Sequence, residues 1–336
     1  MSLWGLIRRM DTRRMRSTAK TVAREAGRPA ALVFCDMVWC GFRYRAGYLD
    51  YALFHFWELN AAQRSTVLTR GKNDRYVAAL NSREEWDVFD VKPEFFRRFA
   101  PFIGRRWIDL TQATAAEFER FCREQGKFLV KPPAGTHGDG VEIMDAAAVA
   151  SFPALLERLK KEERTLCEEV LVQHPDLDTI WPGSINTVRL VTILKDGKAH
   201  VVAAYLRVGS GKRPVDNFNN GGMVAPVDKD TGVVLCRARD KAGRLYDCHP
   251  GTGTRFEGYQ LPLWPEILEL VGKAALVVPS IRYVGWDVAT TAVKGPALVE
   301  GNQYPGHDIY CLPGQNPSKI GIFPVLDAVV PYKSLK

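Results

Sequence analysis

From Phe128 onward the chain is built from short apolar runs broken by loops: FLVKP, GVEIM, TLCEEVLV, TVRLVTIL, HVVAAYLRV and GGMVAPV. Each run has strand length and strand composition. A helix is expected from Trp264 to about Val278, then two more strands at Val284–Ala292 and Ala297–Glu300. Lys195-Asp196-Gly197 and Asp230-Thr231-Gly232 read as hairpin turns. Strands outnumber helices and do not alternate with them one for one. The expected fold class is therefore α+β with antiparallel sheets and not a clean βαβ wind. There is no internal repeat and no low-complexity tract.

The first 80 residues have a different character. Residues 1–27 read as a basic amphipathic helix, with Leu3, Leu6, Ile7 and Met10 at helical spacing and Gly27-Arg28-Pro29 ending it. Such a helix suits an anionic membrane surface or a docking partner. It equally suits an exposed helix packed on its own protein. Residues 1–28 hold Arg8, Arg9, Arg13, Arg14, Arg16, Lys20, Arg24 and Arg28 against Asp11 and Glu25, which is +6 of the chain's net +8. The basic balance thus belongs to one segment and does not argue for nucleic acid. Residues 30–60 are rich in aromatics, and Tyr51 to Leu59 is apolar at helical spacing. With only Arg43 and Arg45 among them, they read as core helices and not as a base-stacking platform. Between Asn81 and Phe99 a helix is expected, with Asp90 as cap, Pro93 in the first turn and Phe95, Phe96 and Phe99 as its apolar stripe. The expected domains are residues 1–80, 81–180 and 181–336.

Composition narrows the class further. The chain of 336 residues is 46% hydrophobic and 25% charged, an ordinary globular mix. No apolar run approaches the ~18 residues of a membrane span. The N-terminus lacks an apolar core before a cleavage site, so no secretory signal is expected. Seven scattered cysteines with no Cys-x-x-Cys argue against a disulfide framework and a zinc ribbon, and fit a reducing cytoplasm.

No GxxxxGK[ST], HExxH, GxSxG or strand–GxGxxG–helix motif occurs, so any nucleotide phosphates need another cradle. Four groups offer one. Lys131 ends an apolar strand, and the turn from Ala134 through Thr136, Gly138 and Gly140 follows. A lysine at a strand end is a point charge for phosphate, and glycines let backbone N–H groups approach it. A plain glycine-rich hairpin has the same look. Glu168 to Val172, with Asp176 beyond, could offer a strand edge to an adenine and a carboxylate to a ribose, or simply two solvated glutamates. Asp287, Glu300 and Asn302 lie on two neighbouring apolar strands. Mg²⁺ takes a few hard oxygen ligands and keeps its other positions for water and phosphate. Buried carboxylates need a metal or a partner, and salt bridges to Arg189 or Arg207 are the alternative. Those two arginines sit in apolar strands where a charge faces a polar cavity or a carboxylate. Asn217 and the Gly221-Gly222 backbone could complete an anion site beside them.

Taken in order, these groups resemble the ATP-grasp superfamily over roughly Lys92 to Pro305. The nearer likeness is to sugar-transfer-associated ATP-grasp proteins, related to alpha-L-glutamate ligases. It is carried by VQHPDL (172–177), GSINTVRLVT (183–192), VDNFNNGG (215–222), CHPGTG (248–253) and GWDV…LVEGNQYPG (285–306). The resemblance implies two α+β lobes whose antiparallel sheets clamp ATP. Lys92 and Lys131 would meet phosphates, and Thr136 to Gly140 (with Gly138) would cover them. Glu169, Val170 and Val172 would hold adenine and Asp176 the ribose. Arg189, Arg207 and Asn217 would serve the γ-phosphate and an acylphosphate. Asp287, Glu300 and Asn302 would bind Mg²⁺, or Mn²⁺ in its place. The implied enzyme is a carboxylate–amine ligase acting through an acylphosphate on an amino acid, peptide or amino sugar. The alternatives are a kinase-like phosphotransferase and a non-catalytic nucleotide-binding protein. The helical N-terminal region departs from the small α/β domain that many members carry. His249 and Pro250 belong to the likeness without an evident role, substrate contact and structural turn both being open.

Overall fold

The strand-length runs form strands, and every pairing among them is antiparallel. The computed structural model describes residues 11–135, 140–210, 218 and 221–335. Its contacts divide the chain into two compact units, Met1–Ala79 with Gly306–Lys336, and Leu80–Pro305.

The second unit holds two sheets. The smaller has the order β1-β4-β2-β3, with β1 at Trp107–Asp109, β2 at Lys127–Lys131, β3 at Glu142–Asp145 and β4 at Leu166–Glu169. The helices Ala115–Gln125 and Phe152–Lys161 bury Phe118, Phe121, Leu155 and Leu159 against it. Both helices escape the sequence expectation, although their start signals are local. Thr114 and Glu117 form a capping box, and Ser151 caps the second helix ahead of Pro153.

The larger sheet has the order β11-β10-β5-β6-β7-β8-β9. Its strands are β5 (Thr187–Lys195), β6 (Lys198–Val208), β7 (Met223–Val227), β8 (Ala238–Asp240), β9 (Leu245–Tyr246), β10 (Tyr283–Thr291) and β11 (Gly295–Asn302). All nine residues of β10 are buried. It lies inside the sheet with both faces covered, so it reads as a continuous apolar run and not as an alternating one. Asp196 and Gly197 close the β5–β6 hairpin with φ of 50° and 72°. Two left-handed residues are what a two-residue turn of that hand requires. The helix Trp264–Ala274 packs on the sheet through Trp264, Ile267 and Val271, and stops short of the expected Val278.

Phe95, Phe96 and Phe99 are buried as expected, on a helix at Lys92–Arg98. Asp90 does not cap it. That residue ends the preceding short helix, Asp87–Asp90, and its carboxylate accepts from Gln303 Nε2 at 2.7 Å. The Lys92 N–H, left orphaned at the helix start, donates to Pro133 O at 2.8 Å instead.

The first unit is helical. The helix Thr12–Ala26 begins at the Asp11 cap, buries Met15, Ala19 and Val22, and ends at left-handed Gly27. Leu3, Leu6, Ile7 and Met10 lie outside the described residues. Helices follow at Ala30–Tyr44, Tyr48–Leu53 and Ala61–Thr66. The apolar stretch Tyr51 to Leu59 is not one helix, because His55 turns left-handed at φ 47°. Residues 306–336 group here: Tyr76 donates to Val330 O at 3.0 Å, and the Lys72 ammonium sits 4.1 Å over the Phe323 ring. Sequence reading set these residues in the 181–336 lobe because no composition shift marks residue 306. Among the described residues no helix is long and apolar enough to cross a membrane.

Candidate functional site

The site residues lie in the second unit, on a row that crosses three strands. Asp287 on β10 stands opposite Glu300 on β11 and opposite Arg189 on β5. A bulge follows Asp287, since Val288 pairs with Leu298 and leaves Val299 unmatched. Bulges re-aim side chains beside functional sites, and this one ends the apolar pairing where the charged row begins. Asn302 lies two residues beyond Glu300, opposite Gly285. Strand alternation places Asn302 and Glu300 on one face. The Asn302 amide donates to Glu300 Oε1 at 3.3 Å. A Cβ on Gly285 would lie 3.1 Å from Arg189 Nη1, so glycine there leaves room for the guanidinium.

Asp287 is paired as well as buried. Arg189 grips it with two donors, Nη2 to Oδ2 at 2.9 Å and Nε to Oδ1, and Arg207 Nη1 reaches Oδ2 at 2.6 Å. Burial works to raise the Asp287 pKa, but the two arginines outweigh it and hold the carboxyl far below its ordinary range. Glu300 goes the other way. Burial and the neighbouring Asp287 charge push it up, and the arginines offset only part of this.

A second charged group faces the same space from the smaller sheet. Glu168 on β4 lies between Lys131, which ends β2, and Arg105, whose Nε donates to it at 2.5 Å. Arg105 also donates to Leu298 O on β11 at 2.7 Å, so one guanidinium ties the two sheets together. Lys131 and Arg105 stand 5.1 and 4.7 Å over the Phe96 ring. Burial lowers the Lys131 pKa, while Glu168 and Glu300 work to restore it. Lys92 donates to Gly135 O at 2.8 Å, and its pKa falls through burial and the charge of Lys131. Lys92 and Lys131 both feel Glu300. The lysines of one sheet and the acid row of the other therefore share one electrostatic space.

The segment after β4 passes from the smaller sheet to the larger. Gln173 bridges to Thr291, and Val172 O accepts from Ala292 N at 3.1 Å. The Val172 side chain is exposed. Glu169 accepts from Arg106 N at 2.9 Å and from Lys294 Nζ at 2.7 and 2.8 Å. Val170 is half-buried between them in sequence. Asp176 lies in the first turn of the helix Pro175–Ile180, with its carboxylate exposed and its carbonyl accepting from Tyr259 at 2.5 Å. Gly140 is left-handed at φ 75°, where a side chain would be strained and would crowd Pro132. Thr136, Gly138 and Asn217 lie outside the described residues.

The sequence matches the family model of sugar-transfer associated ATP-grasp proteins over residues 72–329, well over half of the chain. The chain belongs to that family. Solved structures similar to it are ATP-grasp ligases. PsnB in complex with a minimal precursor is 16% identical, with 75% of this chain and 64% of PsnB covered and a TM-score of 0.44. D-alanyl-alanine synthetase A from Vibrio cholerae is 14% identical, with 73% and 61% covered and a TM-score of 0.41. D-cycloserine synthetase DcsG is 11% identical, with 76% and 74% covered and a TM-score of 0.44. The chain thus spans less than two thirds of the length of PsnB. PsnB has also been solved with Mg and ADP. No curated protein matches the sequence.

Within this ATP-grasp chain, Lys92, Lys131, Asp287, Glu300, Asn302, Arg189 and Arg207 are brought together, while Glu169 and Asp176 lie along the crossing segment. Sequence reading missed Arg105 and Lys294. Nothing local separates Arg105 from Arg106 beside it; only the pairing of Arg105 with Glu168, 63 residues away, does so. His249 is a turn residue. Its Nε2 lies 2.9 Å from Gly209 O, its Nδ1 accepts from Gly251 N at 3.1 Å, and its ring stacks on Trp181. Both ring nitrogens are used, and burial lowers its pKa, so it is a neutral fixture of the fold. Among the described residues no three His, Cys, Asp or Glu side chains form a metal cluster. The acid row holds two carboxylates and an amide.

Proposed function

We propose that this chain is an ATP-dependent carboxylate–amine ligase working through an acylphosphate. The observation that carries the reading is the row Glu300–Asp287–Arg189, buried at Asp287, with Arg207 paired to it and Lys131 and Lys92 within electrostatic reach of Glu300. Counting Arg105 and Glu168, five cations and three carboxylates share this space, more positive charge than the carboxylates neutralise. A surplus of that sign in a buried place suits a polyphosphate.

The fit to Mg²⁺ rests on Glu300. Buried Asp287 stands opposite half-buried Glu300, and burial and the Asp287 charge push the Glu300 carboxyl towards its neutral form although Arg189 and Arg207 offset part of this. Hard oxygens from Asp287, Glu300 and Asn302 match what Mg²⁺ takes. When bound, the ion would neutralise charge on phosphoryl oxygens. In this reading Lys92 and Lys131 hold phosphates, with Thr136, Gly138 and Gly140 over them. Glu169, Val170 and Val172 line the adenine and Asp176 meets the ribose. Arg189, Arg207 and Asn217 place positive charge and hydrogen bonds where a carboxylate meets the γ-phosphoryl group. The acid would be an amino acid or peptide, and the amine an amino acid, peptide or amino sugar.

ADP release with pools of amino acids and amino sugars, with products weighed by mass spectrometry, tests the reading. A condensed product lighter than its two components by one water is expected. A product that gains phosphate without condensing would replace the ligase with a phosphotransferase. Absence of any ATP–Mg²⁺ thermal shift would remove the active site altogether.

A further inference from the structure

The helix Ala30–Tyr44 keeps its one acid, Asp36, paired within the unit. Asp36 is held by both Arg64 nitrogens at 2.7 and 2.8 Å and by the Tyr51 hydroxyl at 2.7 Å. Val33, Met37, Cys40 and Tyr44 are buried. What remains on the solvent side is Ala31, Leu32, Cys35, Trp39 and Phe42, with Arg43 as the one exposed charge on the helix. Leu32, Cys35, Trp39 and Phe42 recur at three and four residues, so they form one stripe. Leu32 is 64% exposed and Trp39 58%. Leu49, at the start of the next helix, is 65% exposed. Among the described residues the other exposed large hydrophobics are spread from Ile143 to Val325. Single ones are ordinary, whereas a stripe on one helix marks a contact surface.

Charge identifies what covers it. All eight Arg and Lys side chains in residues 11–49 are exposed, with Arg28 and Arg43 at the two ends of the stripe. The acids in the same span are Asp11, Glu25 and Asp36, and Asp36 is locked to Arg64. The net charge of these residues is 8 − 3 = +5. A second copy would bring two such surfaces of like sign together, which opposes self-association. An aromatic and aliphatic stripe with a basic surround is the pattern of a helix lying in a lipid headgroup region.

We infer that the helix Ala30–Tyr44 seats this unit on an anionic lipid bilayer, with Leu32, Trp39 and Phe42 entering the headgroup layer and the bases meeting lipid phosphates. It lies on the membrane and does not span it. The sequence expectation put membrane contact in residues 1–27; the stripe shifts the apolar part of that contact to the helix that follows.

The full chain would be floated with vesicles of phosphatidylcholine containing about one third phosphatidylglycerol, and with phosphatidylcholine alone. Binding to the anionic vesicles is expected, falling several-fold as salt is raised towards ~0.5 M, where surface charge is screened. Trp39→Glu with Phe42→Glu should lower binding about tenfold or more while leaving the ATP–Mg²⁺ thermal shift intact. The milder Trp39→Gln should lower it by less. Three results overturn the inference: no binding to anionic vesicles, binding that both variants leave unchanged, or binding lost on removing residues 1–10 and untouched by Trp39 and Phe42 changes. A concentration-dependent dimer in sedimentation, broken by Trp39→Glu, would make the occupant a second copy and overturn it as well.

Discussion

Two buried carboxylates of the second unit, Glu168 and Asp287, make an instructive pair. Each stands between two cations: Lys131 and Arg105 for Glu168, Arg189 and Arg207 for Asp287. They differ in what lies beyond. Glu168 has no second acid beside it, and through Arg105 it ties β4 to β11. Asp287 faces Glu300, whose carboxyl is pushed towards its neutral form. The first cluster is complete as it stands, although burial charges a desolvation cost that its ion pairs only roughly offset. In the second, both arginines pair with Asp287 and offset only part of the upward push on Glu300. Both acids are buried, but only the second has a neighbouring carboxyl pushed towards its neutral form.

The sharpest way to break this comparison is to remove the acid from each cluster. Glu168→Ala strands two buried cations, and an unfolding free-energy loss of about 3–5 kcal/mol is expected in urea titrations. A loss under about 1 kcal/mol would show that the cluster is not the tie between the sheets. Glu300→Gln should act in the opposite sense. ATP turnover is expected to fall about a hundredfold or more, with metal-free stability unchanged or higher.

The sign of the pH effect on Glu300 follows from its direction of shift. Its folded pKa lies above the ordinary 4.5, so the neutral form is the one the fold favours. That contribution is complete below about 4.5 and is lost as pH rises through the folded value. Glu300→Gln should therefore overtake the wild type in thermal stability as pH rises, in the absence of metal. Conversely Mg²⁺ competes with the proton, and its affinity should fall by up to about tenfold per pH unit below the Glu300 pKa. A pH-independent Mg²⁺ titration, followed by calorimetry, would remove Glu300 from the proposed ion site.

The smallest effect concerns the crossing segment. Lys294→Ala removes an exposed pair with Glu169, worth under about 1 kcal/mol in stability. Nucleotide affinity should change by no more than about threefold. A far larger change in affinity for ATP than for triphosphate would place Lys294 at the adenine.

Much of this was legible along the chain. The β5–β6 turn at Asp196-Gly197, the stripe Phe95, Phe96 and Phe99, and the strands carrying Arg189, Asp287 and Glu300 all follow from period and turn chemistry. The helix at Ala115–Gln125 was equally legible in its Thr114–Glu117 capping box, but it lay between the Phe95–Phe99 stripe and the strand signals that begin at Phe128. Asp90 shows the limit of such signals. A capping residue is recognised by type, yet Gln303, 213 residues on, claims its carboxylate.

The sequence by itself determined the acid row as residue types: which strands carry carboxylates, an amide and arginines, and that these suit a cation and phosphates. The tertiary structure decided how they are paired. Arg189 and Arg207 reach Asp287 across 98 and 80 residues, and leave Glu300 as the acid without a settled charge. Local propensity sets a strand and its faces, but register between distant strands sets which charges meet. In a buried, low-dielectric place that meeting fixes each group's protonation.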